Sequence, residues 1–395
     1  MTEYVDARIV RQLGILTLQR PKALNSLSLE MVRFLTATLL AWRDDPAIAG
    51  VLIKSSSERA FCAGGDIRFF HQAGSATPQQ HSALLEDFFS EEYALNHLVH
   101  FYPKPYIAFM DGVVMGGGMG IAQAGPACRC RIVTERSKMA MPEVNIGLFP
   151  DVGGSYFLSR APGRLGTYLA LSGETINAFD AVYAGLADFY VPGNQLPALQ
   201  AQLEQAAGVP AAGVPAAGAP AATTGEDGIA AAAGEDNNAA AAGGLQVQVA
   251  AFCKRFVPDR ATSVLARNRA LIDYHFRHDD VAAIMASLAQ DSSTFASQTL
   301  QAMQKRSPLM MSVTLAQLQR GADMGVADCL RMERSMVRRN FEHGEVLEGV
   351  RALVIDKDNA PLWSPAKLEQ VTPAMVQAFF EPAWPAHAHP LRDLA

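Results

Sequence analysis

Two carboxylates, Glu143 and Asp151, stand in one short segment, Met141 to Gly154, punctuated by Pro142, Gly147, Pro150, Gly153 and Gly154. The apolar Val144, Ile146, Leu148 and Phe149 between them argue for a partly dry cleft, where a carboxylate's proton affinity rises toward working pH. The plainer reading is a proline-bounded loop with two solvated acids. Two further segments favour chemistry.

The turn Phe61-Cys62-Ala63-Gly64-Gly65-Asp66-Ile67-Arg68 contains two adjacent glycines, which let backbone N–H groups approach a ligand, and an aspartate able to cap a following helix. Gly116-Gly117-Gly118-Met119-Gly120 likewise places bare backbone at a helix start, where free N–H groups favour developing negative charge. No Gly-Lys-Ser/Thr follows it and the GxGxxG spacing is absent, so it is not a nucleotide loop. Gly153-Gly154-Ser155-Tyr156-Phe157 lacks the glycine that a nucleophile elbow carries after its serine, so Ser155 reads as structural. Two glycine turns beside paired acids make an oxyanion hole next to acid–base groups, a combination suited to carbonyl chemistry.

These segments need elements to hold them. Residues 8–18 read as a β-hairpin turning at Gln12-Leu13-Gly14. Val32, Leu35, Leu39 and Trp42 recur at helical spacing from about Ser28 to Arg43. Val51-Leu52-Ile53 is a short buried strand before the first glycine turn. The plan repeats: a helix around Leu84 to Val99, a strand from Tyr106 to Met110, the second glycine turn and a small-residue helix through Ala124. A third strand spans Cys128 to Val133, with Cys128 and Cys130 expected on one side. Strand, glycine turn and helix in succession argue for a layered α/β architecture with the site at the carboxyl ends of strands. From about Ala206 to Gly244 the composition collapses to Ala, Gly, Pro and a few acids, which reads as a flexible insertion, with transient helix at Ile229 to Ala233. The back part, 245–395, looks mainly helical from Leu265 to Phe341. Gly349 to Asp358 reads either as a strand with a charged turn or as a helix end packing Val350, Leu353 and Val354.

At 395 residues and 49% hydrophobic, with net charge −6, the chain can bury a sizeable core and offers no electrostatic footprint for nucleic acid or an anionic membrane. The first residues show no signal or transit pattern and no run approaches a membrane span, so a cytoplasmic location is expected. Five cysteines read as reduced core or strand thiols, and nine histidines as scattered surface residues without a metal cluster.

In order along the chain, the block Ala60 to Arg68, the block Lys104-Pro105-Tyr106-Ile107-Ala108 through Gly118, and the Met141 to Gly154 segment resemble the crotonase (enoyl-CoA hydratase/isomerase) superfamily. Glu91-Glu92-Tyr93, Gly349-Val350-Arg351-Ala352, Asp356-Lys357-Asp358 and Trp363 make the likeness greatest to its 3-hydroxyisobutyryl-CoA hydrolase branch. The resemblance covers nearly the whole chain except the low-complexity insertion. It implies a core spiral of repeated ββα units (residues 1–205), with residues 245–395 completing the fold, and an acyl-CoA substrate that brings its own coenzyme A, with no separate cofactor. It implies that Gly65 and Gly117 N–H groups grip the thioester carbonyl, that Glu143 is the main catalytic carboxylate and Asp151 the second acid, and that Glu92 contacts the acyl group. Lys22, Ala23, Leu24 and Ala63 match positions lining the CoA nucleotide. Homo-oligomers occur in the superfamily and are possible here. One departure matters: where hydratases carry a glutamate two residues after the glycine triplet, this chain has Gly120, which neither activates water nor protonates carbon. The resemblance therefore implies hydrolysis of a short branched β-hydroxyacyl-CoA such as 3-hydroxyisobutyryl-CoA from valine breakdown, with Glu143 as general base or as nucleophile. The rivals are an enoyl-CoA hydratase or isomerase using Glu143 alone, and a low-turnover CoA-binding scaffold.

Overall fold

The computed structural model of the chain describes residues 2–77, 82–207, 239–257 and 262–395. The chain opens with β1 (Val5–Val10) and β2 (Leu13–Leu18), paired antiparallel with Val10 opposite Leu13. The hairpin turns at Arg11-Gln12, not at Gln12-Leu13-Gly14. Gly14 stays inside β2 because the Trp42 ring lies against it, 2.5 Å from where a Cβ would stand. Trp42 belongs to α1 (Leu29–Asp44), which Ser28 caps by accepting the Met31 N–H and which buries Val32, Leu35 and Leu39, as the helical spacing requires.

Three strand pairs follow. β3 (Gly50–Ser55) and β4 (Ala60–Cys62) lead into α2 (Ile67–Ala76) and α3 (Ala83–His100). β5 (Tyr106–Met110) and β6 (Val113–Met115) lead into α4 (Gly117–Gly120), a single turn and thus shorter than the helix expected through Ala124. β7 (Arg129–Val133) and β8 (Lys138–Ala140) lead into a 3₁₀ turn at Glu143–Ile146. The first strand of each pair joins the larger sheet, ordered β1-β2-β3-β5-β7-β9, and the second joins a parallel three-stranded sheet, β4-β6-β8. This is the repeated ββα spiral. Cys128 precedes β7 and does not alternate with it, so Cys128 and Cys130 enter separate apolar clusters on opposite sides of the sheet. All five thiols are free and buried.

After α5 (Gly154–Ser159), α6 (Leu165–Ser172), α7 (Ala178–Tyr183), β9 (Phe189–Tyr190) and α8 (Leu196–Ala206), the chain enters the Ala/Gly/Pro-rich insertion; residues 208–238 of it, including 229–233, lie outside the described residues. Ala239 to Gly244 already belong to α9 (Ala239–Cys253). The remainder is helical: α10 (Val264–His275), α11 (Val281–Ala289), α12 (Thr294–Met303), α13 (Pro308–Gly321), α14 (Val326–His343), α15 (Glu345–Val350) and α16 (Pro373–Ala378). His275 is not a surface histidine: it is buried, with its ring nitrogens 2.8 Å from Ser287 Oγ and 2.9 Å from Asp291 Oδ2. α15 continues into a π turn at Arg351–Ile355, so the helix-end reading holds and the strand reading does not. The wider turn changes which residues face inward: Val350 and Ala352 are buried, whereas Leu353 is 44% exposed.

The loop between β2 and α1 is tied to β4 by Asn25, buried in the left-handed region at φ +55. Its Nδ2 donates to Ser55 Oγ (2.8 Å) and to the Ala60 and Phe61 carbonyls (3.1 Å each), and its Oδ1 accepts the Arg20 N–H at 2.7 Å. An alanine there removes four hydrogen bonds, two of them to buried carbonyls, and is less tolerant than asparagine of the left-handed backbone. Asn25→Ala is expected to lower stability by about 2–4 kcal/mol, read as a lower urea midpoint at an unchanged slope; an unaltered midpoint would refute the anchoring role.

Candidate active site

The three segments singled out above all follow the strands of the small sheet. β4 runs into Gly64-Gly65, β6 into Gly116-Gly117, and β8 into Pro142-Glu143. Cys62 pairs with Val114 and Val114 with Met139, so the three ends emerge at one level. Gly64 (φ +97) and Gly116 (φ +49) supply the turns, in conformations that disfavour a side chain. Those turns bring the next two N–H groups together: a Cβ built on Gly117 would lie 3.3 Å from the Gly65 nitrogen. Among the described residues neither the Gly65 nor the Gly117 N–H donates to a protein acceptor. Two converging free donors at a cleft form a cradle for an oxyanion.

The cleft has a volume of about 220 Å³ and is lined by both glycine turns, Glu92, Glu143, Asn145, Asp151, Val152, the rings of Phe70 and Phe89, and Leu353. α3 delivers Glu92, whose Oε1 would be 2.4 Å from a Cβ on Gly117; Glu143 Oε1 would be 2.8 Å from one on Gly116. Both acids therefore flank the cradle, and only glycine leaves them room. Phe70 packs edge-on against Phe88 (4.9 Å between centroids) and tilted against Phe89 (4.8 Å), making the wall apolar. Glu92, Glu143 and Asp151 are all buried. Glu92 Oε1 and Glu143 Oε2 have no hydrogen-bond partner in the protein, which marks them as groups awaiting a ligand.

Burial, with Asp151 as the nearby charge, pushes the Glu92 and Glu143 carboxyls well above the usual range. Burial also raises Asp151, to about 6, partly offset by the Tyr93 hydroxyl, which donates to Asp151 Oδ2 at 2.6 Å. Such a carboxyl can hold or release a proton near neutrality. Asp66 caps α2 through the Phe69 N–H (3.4 Å) and pairs with Arg20 at 2.8 Å. Ser155 is buried; its Oγ accepts from Gln317 Nε2 at 2.7 Å, consistent with a structural residue.

Of the four positions matched to the CoA nucleotide, Ala63 lines the cleft and Lys22, Ala23 and Leu24 do not. They adjoin it, since the Ala63 N–H donates to the Leu24 carbonyl at 3.0 Å, and Lys22 is exposed in the 3₁₀ turn Pro21–Ala23. In the sequence reading Tyr93 stands only within the Glu91-Glu92-Tyr93 motif and Leu353 only as a core-packing residue, and neither is given a place at the site. Tyr93 adjoins Glu92 on a helix whose register was legible, so its partner was in principle within reach; Leu353 needed the π turn.

The enoyl-CoA hydratase/isomerase family profile matches residues 13–380. The chain belongs to the enoyl-CoA hydratase/isomerase family. Within that family it is similar to the mitochondrial 3-hydroxyisobutyryl-CoA hydrolase of Xenopus tropicalis, 37% identical over 93% of this chain and 86% of that protein. The human protein of the same name is 36% identical over 91% and 83%. A solved structure described as a carnitinyl-CoA dehydratase from Mycobacterium thermoresistibile matches with TM-score 0.81 at 35% identity, covering 97% of this chain and 98% of that one. An enoyl-CoA hydratase from Rhodobacter sphaeroides matches with TM-score 0.78, also at 35% identity, covering 96% and 98%. Both likenesses extend through the helical C-terminal region. Among the described residues no helix is long and apolar enough to cross a membrane.

The buried acids set a pH dependence of stability. Asp151 has an ordinary value near 3.8 and about 6 in the fold, so the native state holds more protons than the unfolded chain between those values. Stability therefore falls as pH rises through that window, by on the order of 3 kcal/mol at about 1.4 kcal/mol per unit. Asp151→Asn is expected to raise the denaturant midpoint at pH 8 and to leave it nearly unchanged at pH 4. Equal effects at both pH values would contradict this origin of the cost.

Proposed function

We propose that this family member hydrolyses a short β-hydroxyacyl-CoA thioester, with 3-hydroxyisobutyryl-CoA as the expected substrate, giving the free hydroxy acid and CoA. In this reading the thioester carbonyl oxygen lies between the Gly65 and Gly117 N–H groups. Each donor is worth on the order of 3 kcal/mol in the transition state. Glu143, beside the cradle, either takes a proton from water as the water adds to the carbonyl carbon, or attacks that carbon itself to form a mixed anhydride that water then opens. In both routes the C–S bond breaks and CoA leaves as the thiol. In this reading Asp151 bonds the β-hydroxyl and Glu92 lies against the acyl group; the Tyr93 hydroxyl on Asp151 and its raised proton affinity support that role.

The observation that carries the reading is the surroundings of Gly120. A Cβ there would be 2.7 Å from both Asn96 Nδ2 and Val152 Cβ, so a second glutamate on α4 has no room, and the second acid of the cleft is Asp151 instead. The curated relatives named as hydrolases support the same assignment. A hydratase reading draws on the two full-length structural likenesses.

Thiol release from a panel of acyl-CoA esters, with and without a β-hydroxyl, discriminates the two. The expected result is CoA release with 3-hydroxyisobutyryl-CoA preferred over isobutyryl-CoA by about 10-fold or more in kcat/KM, the scale of one well-placed hydrogen bond. Glu143→Gln is expected to lower kcat by at least about 10²-fold. Hydration of crotonyl-CoA without CoA release from any ester would defeat the hydrolase reading.

A further inference from the structure

The turn that presents Asp151 is unusual backbone. Val152 sits at φ +52 and Gly153 at φ +90. For a β-branched residue the left-handed region is rare and persists only where the surroundings impose it. The imposing groups come from the C-terminal helices. Glu333 on α14 is fully buried, and its two carboxylate oxygens accept the N–H groups on either side of Gly154: Gly153 N at 2.8 Å on Oε2 and Ser155 N at 2.8 Å on Oε1. From α13, Gln317 Nε2 donates to the Pro150 carbonyl at 2.6 Å. The residue before Asp151 and the residues two and four places after it are thus held from outside the spiral, while Tyr93 holds the carboxylate itself.

We propose that Glu333 is a positioning residue for Asp151: by bonding both flanking N–H groups it holds the strained turn that aims Asp151 into the cleft. The proposal rests on the reading of Asp151 as the second acid of the reaction. Glu333 does not line the cleft and touches no substrate. Its geometry is specific to a carboxylate, because each oxygen accepts one N–H. Glutamine has the same size but only one oxygen, so it must turn its NH2 toward one of the two donors and lose that bond. Released from one side, the turn relaxes away from the strained conformation at Val152 and takes the Asp151 carboxylate with it.

The test is a double-mutant cycle on thiol release with 3-hydroxyisobutyryl-CoA. Glu333→Gln is expected to lower kcat/KM by about 10- to 100-fold, the effect of misplacing a substrate-orienting group by about 1 Å. In the Asp151→Asn background the same change is expected to have little further effect, since both substitutions disable one group. Equal losses in both backgrounds would overturn the proposal, because a general structural role does not depend on Asp151. Should Glu333→Gln fail to fold, Glu333→Asp keeps both carboxyl oxygens but shortens the reach; it is expected to show the same dependence on Asp151. A crystal structure of whichever variant folds decides independently of turnover. Asp151 displaced from the Tyr93 hydroxyl supports the proposal, and an unmoved carboxylate refutes it even if the hydrolase reading itself fails on the substrate panel.

Discussion

The parallel pairing of β4, β6 and β8, with Cys62 opposite Val114 and Val114 opposite Met139, delivers three distant pieces of chain to one level. Everything at the site depends on that alignment. Past each strand end the chain turns its backbone or its side chain outward at the same height. Two ends contribute N–H groups and the third contributes Glu143. A slip of one residue in the β4–β6 pairing would turn one glycine N–H away from the other and dissolve the cradle. The isolated bridge between Leu27 and Gly65, with the Leu27 N–H on the Gly64 carbonyl at 2.8 Å, fixes the first end further. It also explains why the β2–α1 loop is anchored so heavily by Asn25.

Three buried carboxylates without a cation among them oppose folding, and the rest of the molecule offsets that opposition. The front spiral supplies the apolar wall that desolvates them, including Phe70 and Phe89. The helical C-terminal part holds the segment that carries two of them. Asn340 on α14 donates to the Gly147 carbonyl at 2.9 Å, Gln317 on α13 to that of Pro150, and Glu333 accepts from Gly153 and Ser155. From Gly147 to Ser155 this segment is nearly all turn. Turns have no ladder to satisfy their backbone groups; here buried side chains from two helices do it. That is a physical reason for the C-terminal helices to accompany this version of the spiral.

Much of this was legible in residue order because local rules and distant contacts agree there. Ser28 followed by apolar residues at helical spacing is a capped helix in any context, and glycine pairs after apolar runs mark strand ends that need close approach. The acids of Met141 to Gly154 were visible for the same reason: charge between apolar neighbours has few places to go. What escaped depended on contacts between distant segments or on irregular backbone. Gly14 looked like a turn residue, yet the Trp42 ring, not a turn, demands the missing side chain. Cys128 and Cys130 obey strand alternation only if both lie in the strand, and one does not. Leu353 reached the cleft by a π turn that no periodicity announces. Glu333 carries no signal in the sequence, because its partners are backbone N–H groups 180 and 178 residues earlier.

The structural neighbours sharpen a general point about this family. Chains described as a dehydratase and a hydratase share the whole architecture with this one, with TM-scores of 0.81 and 0.78, and a relative 37% identical to it is named a hydrolase, so the architecture by itself does not choose the reaction. The pair of converging N–H groups is made of backbone and follows from the small sheet. The choice falls to the side chains that face it. Around Gly120 the space is filled by Asn96 and Val152, and Val152 is itself the strained residue next to Asp151. Packing at α4 and the aim of Asp151 are therefore one arrangement: the side chain that closes the position of a second glutamate belongs to the turn that brings in the aspartate. Moving the acid from one face of the cleft to the other requires that turn to be rebuilt, and Glu333 and Gln317 are the groups that hold it as it is.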